Sequence, residues 1–194
     1  MAHHIYKTKS IILADFDRGE SNKVYYMLTR DFGVLAIYAQ GVRELKSKLN
    51  YSLQVGALSN VDMVRGKEMW RMTSAQHYDD LLQRDDKRLV DFVVRIFALV
   101  RRLTHGEERN EKLFDTIFQF LGVLKREKFS VEQLVALEII LNLRILHALG
   151  YGTLKKELNQ FLNSEINTQT FSDFEQYKRI AVEEVNNALR ESHL

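Results

Sequence analysis

The periodicity of the apolar residues changes once along this chain, near residue 80, and this change constrains the fold more than any other feature. Before it, β-branched and aromatic residues cluster in short runs, as is typical of strands. After it, apolar residues recur three and four positions apart, as on one face of an amphipathic helix. The sequence therefore predicts an α+β chain of two domains, a β-domain over residues 1–80 and an all-α helical domain over residues 81–194.

Five strands are predicted in the first domain, and two of their connections are hairpin turns that contain a glycine. Arg30-Asp31-Phe32-Gly33 joins the second and third strands, and Arg65-Gly66-Lys67-Glu68 joins the fourth and fifth. This pattern favours a closed five-stranded Greek-key barrel of the OB type, with an SH3-like barrel as the alternative. The predicted strands cover residues 7–13, 23–29, 34–40, 59–64 and 69–75.

The second domain reads as a helical bundle around one apolar helix. Ser130 and Gln133 form a capping box that opens this helix, and Gly150 ends it with a left-handed residue. Because the helix is apolar almost all round, we expect it at the centre of the bundle. Ser172 and Glu175 predict a second capping box. The predicted helices cover residues 89–100, 113–124, 131–149, 154–162 and 172–190.

The composition excludes several classes of function. The chain has no cysteine, so disulfides, thiolate nucleophiles and cysteine-ligated zinc are excluded. The histidines lack metal-ligand spacing, and no phosphate-binding glycine loop occurs. We therefore expect neither a cofactor nor an enzyme activity. No apolar run is long enough to span a membrane and the first residues lack the apolar core of a signal peptide, so a cytoplasmic location is expected.

The small positive net charge lies entirely in the first domain. Residues 1–80 carry 11 Lys and Arg against 9 Asp and Glu, and the rest of the chain is balanced. Cations interleaved with aromatic residues predict a surface that grips phosphates and stacks bases, although a merely solvated face of the barrel is the alternative. Strand alternation is taken to place Tyr25 at the surface and Tyr26 in the core. The candidate DNA-binding residues are Lys23, Arg43, Lys46, Lys48, Arg65, Lys67 and Arg71, with Tyr25 and Tyr38 as stacking platforms and Tyr51 and Trp70 nearby.

A short acidic motif supports a competing hypothesis. Asp15 and Asp17 end a hydrophobic run, which looks like the first motif of the haloacid-dehalogenase phosphotransferases, where two aspartates attack phosphorus and hold magnesium. A turn at the end of the first strand explains the same residues without chemistry. A third possibility is an OB module that binds RNA or protein.

Several segments resemble, in order and spacing, the RecO family of DNA repair proteins. Gly19-Glu20-Ser21-Asn22-Lys23 and Thr29-Arg30-Asp31-Phe32-Gly33 match its N-terminal domain, as do Ser10-Ile11-Ile12-Leu13, Ala39-Gln40-Gly41-Val42-Arg43, Ser47-Lys48-Leu49 and the last strand from Gly66 to Thr73. Leu149-Gly150-Tyr151 looks like the Leu-Gly-Tyr that ends the central helix of the family. The resemblance covers nearly the whole chain.

The resemblance implies an OB-fold followed by a helical domain in a non-catalytic recombination mediator of the RecF pathway. Members bind single- and double-stranded DNA, anneal complementary strands, contact the single-stranded-DNA-binding protein, and with RecR load RecA. Many members carry a cysteine zinc module after the Leu-Gly-Tyr, which this cysteine-free chain lacks. Contact with the acidic-hydrophobic tail of the single-stranded-DNA-binding protein is expected on the helical bundle, with Arg101, Arg102 and Arg144 as candidate rim residues.

Overall fold

The computed structural model describes five stretches of the chain: residues 4–44, 53–82, 86–104, 106–151 and 155–192. The chain divides into two compact units, Met1–Phe114 and Asp115–Leu194. The β-sheet ends at Asp80, but the first unit continues through a helix beyond the domain boundary predicted from the sequence.

The first unit contains a closed five-stranded barrel of the OB type. The strands are β1 (Ile5–Arg18), β2 (Asn22–Thr29), β3 (Gly33–Ala39), β4 (Ala57–Arg65) and β5 (Trp70–Asp80). Their order around the barrel is β1-β2-β3-β5-β4, with β4 pairing back onto β1. All neighbours are antiparallel except β3 and β5, which run parallel. The five predicted strands and both predicted hairpins are confirmed.

The first strand is longer than predicted and serves two neighbours. Its first half pairs with β4 and its second half with β2, and the register shifts between Ile12 and Ala14. A register shift of this kind bends a strand, which lets β1 turn the corner of a barrel. The predicted turn at Asp15 to Asp17 was wrong, because both residues continue the ladder to β2 and the chain turns only after Arg18.

The interior of the barrel contradicts the predicted faces of the two tyrosines on β2. Tyr25 is buried in the core and Tyr26 lies half-buried on the outside. The predicted alternation of β2 side chains between two faces was correct. The face that carries Lys23 and Tyr25 was assigned to the surface because Lys23 is charged, and this assignment was wrong. Lys23 stands at the end of the barrel, where an inward-facing cation meets a carboxylate instead of apolar side chains. The core consists of Ile12, Tyr25, Met27, Leu35, Ile37, Ala39, Val42, Leu53, Ala57, Val61, Met63 and Trp70.

The helix α1 (Lys87–Leu103) follows the barrel within the first unit. The Asp86 side chain caps it by accepting a hydrogen bond from the Arg88 backbone N–H at 2.9 Å. Its buried residues recur at helical spacing on one face, and the helix contacts β1. The buried face consists of Phe92, Val93, Ile96, Phe97, Val100 and Leu103.

The second unit is all helical. It contains most of α2 (Glu111–Arg126), then α3 (Val131–Ala148), a 3-10 turn (Lys156–Leu158), α4 (Gln160–Asn163), α5 (Thr168–Glu175) and α6 (Lys178–Glu191). The predicted central helix is confirmed in α3, which packs against α4, α5 and α6. Its capping box between Ser130 and Gln133 is present, and Gly150 has a φ of 78°.

The second predicted capping box was wrong. Ser172 lies inside α5 rather than at a helix start. The helix begins four residues earlier, where the Asn167 side chain accepts a hydrogen bond from the Thr170 backbone N–H at 2.9 Å. An asparagine satisfies the free donors of a helix start as well as serine does, and the prediction overlooked Asn167.

Candidate nucleic-acid interface

Tyr38 lies between two arginines on the outer surface of the barrel. Arg71 is its direct partner in the parallel β3–β5 pair, and the Arg71 guanidinium carbon is 5.8 Å from the centre of the tyrosine ring. The Arg18 guanidinium carbon is also 5.8 Å from this ring centre. Both distances are within the range of cation–π attraction. The three side chains therefore present one flat ring flanked by two fixed cations.

The turn between β4 and β5 forms the wall of a groove beside this ring. The groove has a volume of about 360 Å³ and is lined by Tyr38, Gln40, Arg65, Lys67, Arg71 and neighbouring residues. A second depression of about 320 Å³ adjoins this groove and is also lined by Arg18 and Met69. The Arg18 side chain is held there by a contact of 3.3 Å from its Nη1 to the Met69 Sδ. We call the surface formed by Arg18, Tyr38, Lys67 and Arg71 the Tyr38 groove.

Among the described residues, the cations of the Tyr38 groove form no ion pairs, although Glu68 also lines the depression beside them. In the part of the chain that the structure describes, no carboxylate lies within 4.0 Å of the charged groups of Arg18, Lys67 or Arg71. Such cations remain available for anions, whereas a cation already in an ion pair must first give up its partner. The groove therefore combines a flat ring with free positive charge, the combination that binds phosphates and bases together.

Two other predicted cations are engaged at the mouth of the barrel. Lys23 forms an ion pair with Asp15 and lies 3.7 Å from Asp17. Arg43 lies 3.2 Å from Asp17 and donates a hydrogen bond to the Gly19 carbonyl. Asp15 and Asp17 lie opposite Tyr25 and Lys23 in the β1–β2 register. The two carboxylates therefore form one charged cluster with Lys23 and Arg43. The structure thus brings Lys23 and Arg43 together, but with carboxylates already bound.

Tyr25 is buried beneath this cluster. Burial, with a smaller effect from the Asp15 and Asp17 carboxylates, raises the pKa of its hydroxyl well above the ordinary value. A buried ring cannot stack on a base, so the position of Tyr25 does not match the surface role predicted for it. Tyr38 is the predicted aromatic residue that lies on the outer face.

Arg65 belongs to a separate cluster at the other side of the β4–β5 turn. Its guanidinium forms an ion pair of 2.9 Å with Glu107, which also accepts a hydrogen bond of 2.8 Å from the Trp70 indole N–H. The Arg65 guanidinium carbon is 5.3 Å from the Trp70 ring centre, and Trp70 is buried. Arg65 therefore lines the Tyr38 groove while its charge is paired with Glu107.

Sequence reasoning missed Arg18, because the predicted first strand ended before it. The signal that identifies it is the alternation Ala14, Phe16, Arg18, which continues past the apolar run and places the arginine on the outer face. Lys46 and Lys48, both predicted to bind DNA, lie outside the described residues, as does Tyr51.

The three arginines predicted to contact a partner protein lie in different environments. Arg101 packs on two aromatic rings of the barrel, with its guanidinium carbon 4.3 Å from the Tyr26 ring centre and 5.1 Å from that of Phe16. Arg102 is exposed. Arg144 is half-buried in the second unit, where its guanidinium donates to the Phe161 and Ser164 carbonyls. Burial lowers the pKa of Arg144 below its ordinary value.

The arrangement around Asp15 and Asp17 removes the basis of the phosphotransferase hypothesis. That chemistry needs a parallel sheet with crossover helices, whereas these aspartates lie on a hairpin strand of a closed barrel. Their carboxylates face Lys23 and Arg43. Among the described residues, no three or more His, Asp or Glu side chains are placed to hold a metal ion.

None of the described helices is long and apolar enough to cross a membrane.

The barrel region also matches a known protein family. Residues 1–79 match the sequence model described as "Recombination protein O N terminal", a range that contains the whole Tyr38 groove and all but the last residue of the barrel. Residues 1–79 therefore form an N-terminal domain of the RecO family. The RecO resemblance noted in the segments from Ser10 to Thr73 is therefore confirmed.

Curated relatives that match this chain carry the name DNA repair protein RecO. The protein from Dehalococcoides mccartyi strain CBDB1 is 30% identical over 122 residues, which cover 62% of this chain and 48% of the relative. The protein from Halalkalibacterium halodurans is 27% identical over 115 residues, covering 59% and 45%. The protein from Alkaliphilus metalliredigens is 24% identical over 153 residues, covering 78% and 60%. The chain thus spans about half the length of the curated relatives it matches.

Proposed function

We propose that this chain is a non-catalytic DNA-binding protein of recombinational DNA repair that binds DNA through the Tyr38 groove. The observation that supports the proposal most is the Tyr38 ring with Arg18 and Arg71 each 5.8 Å from its centre and free of carboxylate partners in the described residues. The names of its RecO relatives point to the same process. Its position on the barrel also fits, because OB-folds commonly bind oligonucleotides on this face and its adjoining loops.

The chemistry of the groove suits a nucleic-acid strand. Arg71 and Lys67 contact successive phosphates, and a base stacks on the exposed face of Tyr38. Stacking on one aromatic side chain is worth roughly 1 to 3 kcal/mol per base, and every base has a flat face, so the contact selects no sequence. If about five phosphates are neutralised on a single strand, affinity falls roughly a hundredfold between about 50 and 200 mM salt.

We further propose that the chain binds both single- and double-stranded DNA, anneals complementary strands and takes part in loading RecA. Cations that hold the backbone screen the repulsion between two strands and leave the base edges free to pair. An annealing assay with complementary oligonucleotides tests this step, and the variant Lys46→Glu/Lys48→Glu tests whether these two predicted lysines take part. Annealing by the wild type at a rate no higher than the spontaneous one would contradict it.

The sharpest test of the groove is a charge reversal with a matched control. Lys67→Glu/Arg71→Glu changes two cations of the groove, and Lys7→Glu/Lys9→Glu makes the same change on β1, at a different groove. The fluorescence anisotropy of a labelled single strand reports affinity. We expect the first pair to lose at least ~10-fold more affinity than the second, since the groove at Lys7 and Lys9 is also lined by three carboxylates that offset its cations. Equal losses would show that only the net charge matters.

A protein partner is a second part of the proposal, which we place on the helices. We propose that the single-stranded-DNA-binding protein docks its acidic tail near Arg102, because this arginine is exposed and carries no carboxylate partner among the described residues. Contact with RecR is also proposed. Arg102→Glu should weaken binding of a tail peptide in a calorimetric titration, while Lys7→Glu should leave it unchanged. A loss with Lys7→Glu alone would contradict the placement.

A further inference from the structure

A second aromatic cluster lies on the same outer face of the barrel as Tyr38. Phe16 of β1 and Tyr26 of β2 meet edge to face with ring centres 5.7 Å apart, and the guanidinium of Arg101 lies over both rings. We call these three residues the Phe16 cluster. It repeats the composition of the Tyr38 groove, in which an aromatic ring is contacted by arginine.

The register of the strands places the cluster close to the groove. Phe16 lies opposite Val24 in the β1–β2 pair, and Val24 lies opposite Tyr38 in the β2–β3 pair. Phe16 and Tyr38 are therefore on one face of the sheet, separated by a single intervening strand. Since neighbouring strands are about 4.8 Å apart, their backbones are about 10 Å apart. Arg18 follows Phe16 two residues later on the same face, so cations border the path between the two rings.

Two features indicate that the Phe16 cluster faces a ligand instead of serving only to fix α1. Phe16 is 49% exposed, so its ring is open to a ligand. Arg101 has no carboxylate within 4.0 Å in the described residues, so its charge is not paired there. A cation–π contact leaves the donors of a guanidinium unsatisfied, and a phosphate oxygen satisfies them.

We propose that the Phe16 cluster is a second base-stacking station for single-stranded DNA, with Arg101 as its phosphate ligand. The inference rests on the proposed function of the Tyr38 groove and extends it to a longer strand. In a duplex the bases are stacked on each other at about 3.4 Å, so two rings about 10 Å apart cannot both take a base. Only an unstacked strand reaches both stations. Phe16 thus favours single strands over duplexes.

Another cation–aromatic pair on the barrel lies beside a groove of balanced charge and supplies the control. Lys9 lies 5.7 Å from the ring centre of Tyr78, which is 66% exposed. The groove beside Lys9 contains three cations and three carboxylates, so its charge is balanced. These residues are Lys7, Lys9, Arg30, Asp31, Asp62 and Glu111. A balanced groove does not attract a phosphate chain.

The test compares Phe16→Leu with Tyr78→Leu against a single nucleotide, a long single-stranded oligonucleotide and a duplex. A single nucleotide fills one station, and oligonucleotides of about 12 nucleotides fill both, within the range of single OB-folds. We expect Phe16→Leu to lose roughly tenfold in affinity for the long single strand and to bind the single nucleotide and the duplex as the wild type does. Tyr78→Leu should bind all three normally.

Each result separates the inference from the proposed function. If Phe16→Leu binds the long strand as tightly as the wild type while Tyr38→Leu is weakened, the second station does not exist and the groove remains. If Phe16→Leu loses equal affinity for strand and duplex, its role is structural and the inference is wrong. If the wild type binds no DNA, the proposed function itself fails.

A measurement on the wild type makes the test independent of how the variants fold. A long single strand that carries iodouracil cross-links by light to aromatic side chains stacked on the base. We expect cross-linked peptides that contain Phe16 as well as Tyr38. Cross-links at Tyr38 together with none at Phe16 would overturn the inference.

Discussion

Arg71 and Tyr38 are direct partners in the parallel β3–β5 pair, and the guanidinium of one lies 5.8 Å from the ring centre of the other. The pair separates the two forces that hold a nucleic-acid strand, because one member supplies charge and the other a flat surface. Charge and stacking differ in their response to salt.

The first prediction uses this difference. Arg71→Gln should lower the slope of log affinity against log salt by about 0.7, since one fewer phosphate on the single strand releases its counterion. Tyr38→Leu should lower affinity at every salt concentration by roughly 1 to 3 kcal/mol and leave the slope unchanged. Anisotropy titrations between about 50 and 200 mM salt measure both quantities. An altered slope in Tyr38→Leu would mean that the ring positions the cations and does not stack.

The second prediction concerns the carboxylate at the mouth of the barrel. Asp17 lies 3.2 Å from Arg43 and 3.7 Å from Lys23, so it competes with phosphate for both. Asp17→Asn should raise affinity for single-stranded DNA by about two- to fivefold at low salt, and the gain should vanish at high salt as the charges are screened.

Asp62→Asn is the control for this effect. Asp62 is also paired with a lysine of the barrel, Lys7, at 3.5 Å, and its replacement makes the same change in net charge. Asp62 lines the other groove. Equal gains in the two variants would mean that Asp17 acts only through the net charge.

Much of the barrel could be predicted from the sequence because its signals are local. Alternating apolar residues and the turn at Gly33 identified the strands, and a capping box identified α3. The end of β1 was missed for a physical reason. Asp15 and Asp17 interrupt the apolar run, but the ladder to β2 continues beyond the core, where charged side chains reach one another or solvent.

The candidate site was harder to predict because charge pairing joins distant parts of the chain. Arg65 and Glu107 are 42 residues apart, so no local pattern shows that this arginine is paired. The same holds for Arg144, whose acceptors are backbone carbonyls that any sequence provides. Lys67 and Arg71 line one groove because the hairpin between β4 and β5, which was predicted, brings them together.

The third prediction follows from the buried hydroxyl of Tyr25. Its pKa is raised mainly by burial, so the folded state keeps the proton when the unfolded chain loses it at its ordinary pKa of about 10. The stability that Tyr25 contributes is therefore complete below about pH 10 and falls above it, by about 1.4 kcal/mol per pH unit until the folded-state pKa is reached.

Tyr25→Phe isolates this loss from the titration of other groups. The variant should lose less stability than the wild type between about pH 10 and pH 11, and the two should run parallel below about pH 9. Urea unfolding followed by the fluorescence of Trp70, the single tryptophan, measures the difference. Parallel curves throughout the alkaline range would contradict a raised pKa.

The fourth prediction concerns the arginine that joins α3 to α4. Arg144 donates to the Phe161 carbonyl at 2.8 Å and to the Ser164 carbonyl, both partly buried. Arg144→Met keeps the apolar stem and leaves two carbonyls unsatisfied, so it should cost about 2 to 4 kcal/mol in the free energy of unfolding. Circular dichroism at increasing denaturant measures the loss.

The same substitution at an exposed arginine is the control. The side chain of Arg179 on α6 is 91% exposed, and within the described residues it makes only an ion pair with Glu183 one turn away. Arg179→Met should therefore change stability by no more than about 0.5 kcal/mol. If the two variants were equally stable, the bonds from Arg144 would contribute little to the helical unit.

The last prediction tests the close approach of two backbones beside the barrel. Gly33 has a φ of 70°, and a Cβ added to it would lie 2.1 Å from the Glu108 carbonyl oxygen. Gly19 has a φ of 72° with nothing within 4 Å of an added Cβ. Gly19→Ala therefore meets backbone strain alone and should cost about 1 to 2 kcal/mol. Gly33→Ala adds a clash with main-chain atoms that cannot rotate away, so its cost should exceed that of Gly19→Ala by at least ~2 kcal/mol.

Urea unfolding followed by Trp70 fluorescence compares the stability of the two variants. Since Glu107 bonds to Trp70, displacement of the neighbouring Glu108 should also shift the tryptophan emission in Gly33→Ala and not in Gly19→Ala. Equal costs with unchanged emission would mean that the Glu108 segment does not rest on Gly33.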